Sequence, residues 1–61
     1  MSKFRYKVEN PIFNSNEELQ EWLNHQGEGE WELINIRVLD EELDKSGNRK
    51  TYYQCIFKIK N

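Results

Sequence analysis

Hydrophobic and polar residues alternate strictly where the chain begins. In "KFRYKVE", residues 3–9, Phe4, Tyr6 and Val8 fall on one side and Lys3, Arg5, Lys7 and Glu9 on the other. That is the period of a half-buried strand. Asn10-Pro11 closes it, because proline has no N–H for a ladder. The period then lengthens. In "SNEELQEWLNHQ", Leu19, Trp22 and Leu23 stand at i, i+3 and i+4 and form one apolar stripe of a helix. Ser15 is placed as N-cap, and Glu18 three residues on has the capping-box spacing. Glu17, Glu18 and Glu21 suit the positive end of the helix dipole. Gly27 is the expected stop, and Gly29 the expected reversal. Farther on, "WELINIRVL" and "TYYQCIFKI" are rich in β-branched and aromatic residues and read as strands. Between them, Gly47-Asn48 is the expected two-residue hairpin loop.

These elements predict one α+β domain over residues 1–61 with the order β-α-β-β. The expected architecture is a three-stranded antiparallel sheet, order 1-3-2, with one helix packed on one face. The last strand is the most apolar and takes the centre. The helix is expected over Phe4, Tyr6 and Val8. A loop at Gly47-Asn48 pairs Val38 with Phe57, Ile36 with Ile59 and Asp40 with Cys55. One hairpin face then holds Ile34, Ile36, Val38, Tyr53, Cys55, Phe57 and Ile59. Trp31 and Leu33 fall out of phase, and a bulge near residues 33 and 34 would return the tryptophan to the core.

One helix covers one face, so the other face of the sheet needs an account. In this register it gathers Leu39, Leu43, Tyr52 and Ile56 toward the turn. Lys3, Arg5, Lys7, Arg37, Lys58 and Lys60 lie toward the other end. Four sizeable apolar side chains make a patch of roughly a few hundred Å2, the size at which contact surfaces begin. Self-association through it, as a two-fold dimer, is the favoured reading. The acidic helix face of Glu17, Glu18, Glu21 and Glu28 is left to engage a basic protein partner. The alternative is a nucleic-acid-binding face built on the six basic residues, with Tyr52 stacking.

Composition narrows the classes. A chain of 61 residues buries only about 60% of its unfolded surface and is marginal alone. Cys55 is its one cysteine, so no intrachain disulfide can help. With His25 its one histidine, no metal site is expected, and no cofactor motif stands out. Nine basic and eleven acidic residues leave a net charge of -2, which argues against a nucleic-acid partner. No apolar run reaches the ~20 residues of a membrane span, and "MSKFRYKVEN" lacks the apolar stretch of a signal peptide. A cytoplasmic location is the expectation.

Candidate chemistry is thin. His25 falls at the helix end, where a partly charged imidazole is favourable. Cys55 falls on the inward face, as a small hydrophobe. Asp40, Glu41, Glu42 and Asp44 read as solvated partners of Arg49 and Lys50. The glycines of "HQGEGEWELINI" follow a helix and precede a strand, so they cannot offer converging N–H groups to a phosphate. No nucleophile, base and orienting group stand together, and a non-enzymatic protein is expected.

The stretch "LNHQGEGEWELINI", followed by "YYQCIFKIK", resembles a domain-of-unknown-function family of small bacterial and phage proteins (the DUF four-one-seven-seven type). Its pattern is close to L-N-x-x-G-x-x-G-W-E-L, ending in Y-Y-x-x-F-K. Leu23, Asn24, Gly27, Trp31, Glu32, Leu33, Tyr52, Tyr53, Phe57 and Lys58 match it. The second glycine does not: the pattern wants it beside the tryptophan, where this chain has Glu30. The resemblance implies a helix on a three-stranded antiparallel sheet, often with paired subunits, and no catalytic residue. It suggests a phage or mobile-element accessory protein, in the cytoplasm of a bacterial host if phage-encoded, that binds and modulates (inhibits) a host protein.

Overall fold

A computed structural model describes residues 3–61. Its elements are β1 (Phe4–Glu9), β2 (Ile12–Phe13), α1 (Asn16–Glu28), β3 (Glu32–Leu43) and β4 (Arg49–Lys60). The domain is α+β, one helix against one antiparallel sheet. β4 is the hub. It pairs with β1 and β2 along one edge and with β3 along the other. The sheet has four strands rather than three because Asn10-Pro11 interrupts the first edge. Pairing resumes at Ile12↔Tyr52 and Phe13↔Thr51, and the Pro11 carbonyl accepts from the Tyr53 N–H across the break. Proline thus keeps its acceptor role in the ladder and lacks only the donor.

The start of the helix follows its sequence. The Ser15 hydroxyl accepts from the Glu18 N–H at 3.3 Å. The Glu18 carboxylate reaches back to the Asn14 N–H at 3.1 Å, one residue before the position a standard capping box uses. The end of the helix differs from expectation. α1 runs through Gly27 to Glu28, and Gly29 is the C-cap with an ordinary φ of -84°. The left-handed residue is Glu30, with φ of 69°. Trp31 N–H bonds to the Gln26 carbonyl and Glu30 N–H to the Gly27 carbonyl. These two bonds are the 6→1 and 5→2 pair of a Schellman motif, whose left-handed position usually holds glycine.

The hairpin also closes differently. Its loop spans 44–48, and Leu43 pairs with Arg49. The Asp44 carboxylate accepts from the Ser46 and Asn48 N–H groups at 2.8 and 2.9 Å. An aspartate that bonds its own following backbone holds a longer turn, and it displaces the two-residue loop at Gly47-Asn48. Ile36 therefore faces Cys55, Val38 faces Tyr53 and Asp40 faces Tyr52. The ladder slips twice, between Leu33 and Asn35 and between Val38 and Asp40. The first slip lies where a bulge would bring Trp31 inward. Trp31 is half-buried.

The phase of β1 is opposite to the expected one. Lys7 pairs with Phe57 and Arg5 with Ile59, on the helix side of the sheet, while Phe4, Tyr6 and Val8 face away from the helix. The core on the helix side is small. Trp22 packs edge-on to Phe57 at 5.5 Å between ring centroids and tilts against Phe13 at 5.5 Å. Among the described residues only Cys55 and Phe57 are fully buried apolar side chains.

Candidate interaction surface

With the register known, each side chain of the bare face can be placed. β1 and β2 contribute Phe4, Tyr6, Val8 and Ile12. β4 contributes Tyr52, Gln54, Ile56, Lys58 and Lys60. β3 contributes Glu32, Asn35, Arg37, Asp40 and Glu42. The face therefore has an apolar column on one side, a charged column on the other and a mixed column between them. Tyr6, Val8 and Ile12 are 61%, 55% and 50% exposed, far more than apolar residues of a packed strand. Val8 lies directly beside Ile56, and Ile12 beside Tyr52.

Of the four residues expected to gather for self-association, Tyr52 and Ile56 share this face. Leu43 does not, because pairing with Arg49 puts it in the phase of the helix side, out on the hairpin tip. Leu39 falls inside the second slip of the ladder. The slower register of the long loop moves both leucines away. Sequence reasoning missed Tyr6, Val8 and Ile12 as members of the patch. The signal was present in the alternation of "FRYKV", but alternation does not say which side the helix covers.

The six basic residues also separate. Arg37, Lys58 and Lys60 are on the bare face, whereas Arg5 and Lys7 are on the helix side. Lys7 is occupied there: its Nζ donates to Gln26 Oε1 at 2.5 Å and sits 4.5 Å from the Trp31 ring centroid. It also lies 3.7 Å from a Glu9 carboxylate oxygen. Lys3 lies at the strand end, its carbonyl accepting from the Asn61 N–H. On the bare face Lys58 pairs with Glu32 at 3.3 Å and covers the Phe4 ring at 4.8 Å. Arg37 Nε donates to Gln54 Oε1 at 2.9 Å. The six cations therefore do not form one continuous face.

Glu17, Glu18, Glu21 and Glu28 are all exposed on α1. Glu28 pairs with His25 at 3.7 Å, both side chains well solvated, and Glu18 is engaged in the cap. Beside the helix start an open cleft of about 390 Å3 is bordered by Ser15, Asn16, Glu41, Arg49 and Thr51. Ser15 and Glu18 already accept from the nearby backbone N–H groups, and of the two charged residues that line the cleft, Glu41 offsets Arg49. An anion has little to gain there.

Three groups are shifted. The Tyr52 phenol is pushed up, first by its hydrogen bond to Glu42, then by burial and by the charges of Glu42 and Asp40. Hydrogen bonding to the Asn48 backbone, and then to its side chain and to Ser46 and Gly47, holds the Asp44 carboxyl low against a smaller opposing effect of burial. Burial, and secondarily the charge of Glu9, pushes the Cys55 thiol up. A raised, buried thiol is the reverse of an activated one. Among the described residues no group of three or more His, Cys, Asp and Glu is placed to hold a metal ion, and no helix is long and apolar enough to cross a membrane. Comparison with protein-family models, with curated proteins and with solved structures returns no match to this chain.

Proposed function

We propose that the protein is a small non-enzymatic protein-binding module that self-associates through the bare face of its sheet. One observation carries this reading. The apolar column of Tyr6, Val8 and Ile12, flanked by Tyr52 and Ile56, lies on the side that α1 does not cover, and its first three members are half exposed or more. A sheet normally buries one face against another layer, and a second apolar face asks for a third. The small interior supports the same reading, since among the described residues two fully buried apolar side chains are few for a chain whose single cysteine allows no intrachain disulfide.

Of the exposed carboxylates of α1, Glu18 is held in the cap and Glu28 by His25, and Glu17 and Glu21 are the ones offered to a basic protein partner. The family resemblance suggests the setting: an accessory protein of a phage or mobile element that binds and modulates a host protein. Multi-angle light scattering on a sizing column tests the self-association. A mass near twice 7.5 kDa at tens of micromolar is the expected result, and a strict monomer at that concentration removes it.

A further inference from the structure

The bare face is asymmetric in two directions, and the asymmetry selects one way for it to meet itself. We infer that two copies of this chain pack bare face on bare face about a two-fold axis that runs across the strands and passes the row Val8–Ile56–Asn35. The inference rests on the self-association reading and specifies its geometry.

Consider first the direction across the strands. The apolar column of β1 and β2 lies on one side of β4 and the charged column of β3 on the other. A two-fold axis parallel to the strands would lay the apolar column of one copy on Glu32, Arg37, Asp40 and Glu42 of its partner. That would bury charges against hydrocarbon, which is costly. An axis perpendicular to the strands lays apolar column on apolar column. It also runs the strands of the two sheets nearly antiparallel, which satisfies the aligned packing that sheet twist favours.

The direction along the strands then sets where the axis passes. Rows of the face follow β4 in steps of two. Tyr6 and Glu32 flank Lys58, Val8 and Asn35 flank Ile56, Arg37 lies beside Gln54, and Ile12 and Asp40 flank Tyr52. An axis at the Ile56 row brings the Lys58 row over the Gln54 row of the partner, so Glu32 meets Arg37 of the second copy, twice by symmetry. The row of Phe4 and Lys60 meets the row of Ile12, Tyr52 and Asp40, so hydrocarbon meets hydrocarbon and Lys60 approaches Asp40. Val8 meets its own symmetry mate. This centre lays Phe4 on Ile12 and Val8 on Val8, leaves Tyr6 over the Asn10-Pro11 break, and opposes charges of unlike sign.

Charge exchange tests the arrangement. At each of the two symmetric contacts, Arg37→Glu sets a carboxylate against Glu32 of the second copy, and Glu32→Arg sets a cation against Arg37. Each variant alone should dimerise roughly tenfold more weakly, the effect of converting two exposed pairs from attraction to repulsion. Mixed together, the two single variants restore both attractive pairs in a heterodimer and should recover the wild-type affinity. A second arm uses the axis itself. Val8→Cys should form an intermolecular disulfide on mild oxidation, whereas Leu43→Cys at the hairpin tip should not; circular dichroism checks that each variant folds. If the wild type dimerises but mixing restores nothing, or Val8→Cys couples no faster than Leu43→Cys, this geometry is overturned while self-association stands. A wild type that stays a strict monomer at tens of micromolar, on the order of the concentrations such contacts need, overturns both.

Discussion

Glu30 carries a backbone conformation that its side chain does not favour. Its φ of 69° costs an L-residue roughly 1 kcal/mol or more relative to glycine. The Schellman bonds of Glu30 and Trp31 to the helix end hold it there. Glu30→Gly should therefore stabilise the fold by about 0.5–1 kcal/mol, net of the added freedom of the unfolded chain, and raise the melting temperature by several degrees for a domain of this size. Urea melts of the two proteins measure it, and an unchanged or lower midpoint would remove the strain argument. Cys55 makes a second claim at this scale. It is fully buried with its pKa raised by burial, so the folded state resists ionisation that the unfolded state allows. The stability this contributes is complete below the unfolded thiol pKa and is lost as pH rises toward the higher folded value. At pH 8 the native protein should react with iodoacetamide only as fast as it opens, and denaturant should accelerate labelling by orders of magnitude.

At the scale of elements, the hairpin depends on one aspartate and the helix on one aromatic cluster. Asp44 accepts from Ser46 N–H, Asn48 N–H and Asn48 Nδ2, and these bonds lower its pKa. A carboxyl lowered in the folded state stabilises above its unfolded pKa, and the effect fades as pH falls through the folded value. Asp44→Ala, or acidification, should therefore fray the tip first, seen as faster amide exchange at Ser46 and Asn48 with the Cys55–Phe57 segment unaffected. Phe57 lies at the other extreme, 1% exposed and packed on Trp22. Phe57→Ala should cost about 3–5 kcal/mol, comparable to the whole stability of so small a domain, and circular dichroism at 25 °C should show it largely unfolded. The sequence made the helix start, the three longer strands and the antiparallel helix-on-sheet arrangement legible, because capping and periodicity are local, but not the two-residue β2 or the true helix end. Two further things stayed hidden for a shared reason. In "KFRYKVE" the alternation does not say which face is covered, and the pairing of Lys7 with Phe57, with the lysine's contacts to Trp31 and Gln26, shows that the lysine side is the covered one. In "DEELDKSGNRK", Gly47-Asn48 competes with Asp44 for the turn, and which wins depends on the ladder it closes. Both choices belong to tertiary structure, and together they moved Leu39 and Leu43 out of the bare face and put Tyr6, Val8 and Ile12 into it.

The whole molecule is too long for its mass. A compact chain of this length has a radius of gyration of about 10.5 Å, and this one has 13.6 Å. The excess comes from the β3–β4 hairpin, whose two 12-residue strands outreach the helix that covers them. Ile36, Val38 and Leu43 remain exposed on β3 as a result. A thin slab of 50 × 20 × 10 Å has a high ratio of surface to interior, so most of the burial a second layer could supply is still unmade. If the bare faces close on each other, part of the stability of each copy resides in its partner, and the melting temperature must rise with protein concentration by mass action. Across a hundredfold range, from about 2 to 200 micromolar, the midpoint of a two-state dimer should climb by several degrees, whereas a monomer's would not move. Val8→Lys separates surface from core in the same experiment. Val8 is half exposed and contributes little to the interior, so its replacement should leave the low-concentration melt nearly unchanged, within about 0.5 kcal/mol, while flattening the concentration dependence. A variant that melts early at every concentration would mean that Val8 serves the fold of one chain, and the slab would then have to be stable as it stands.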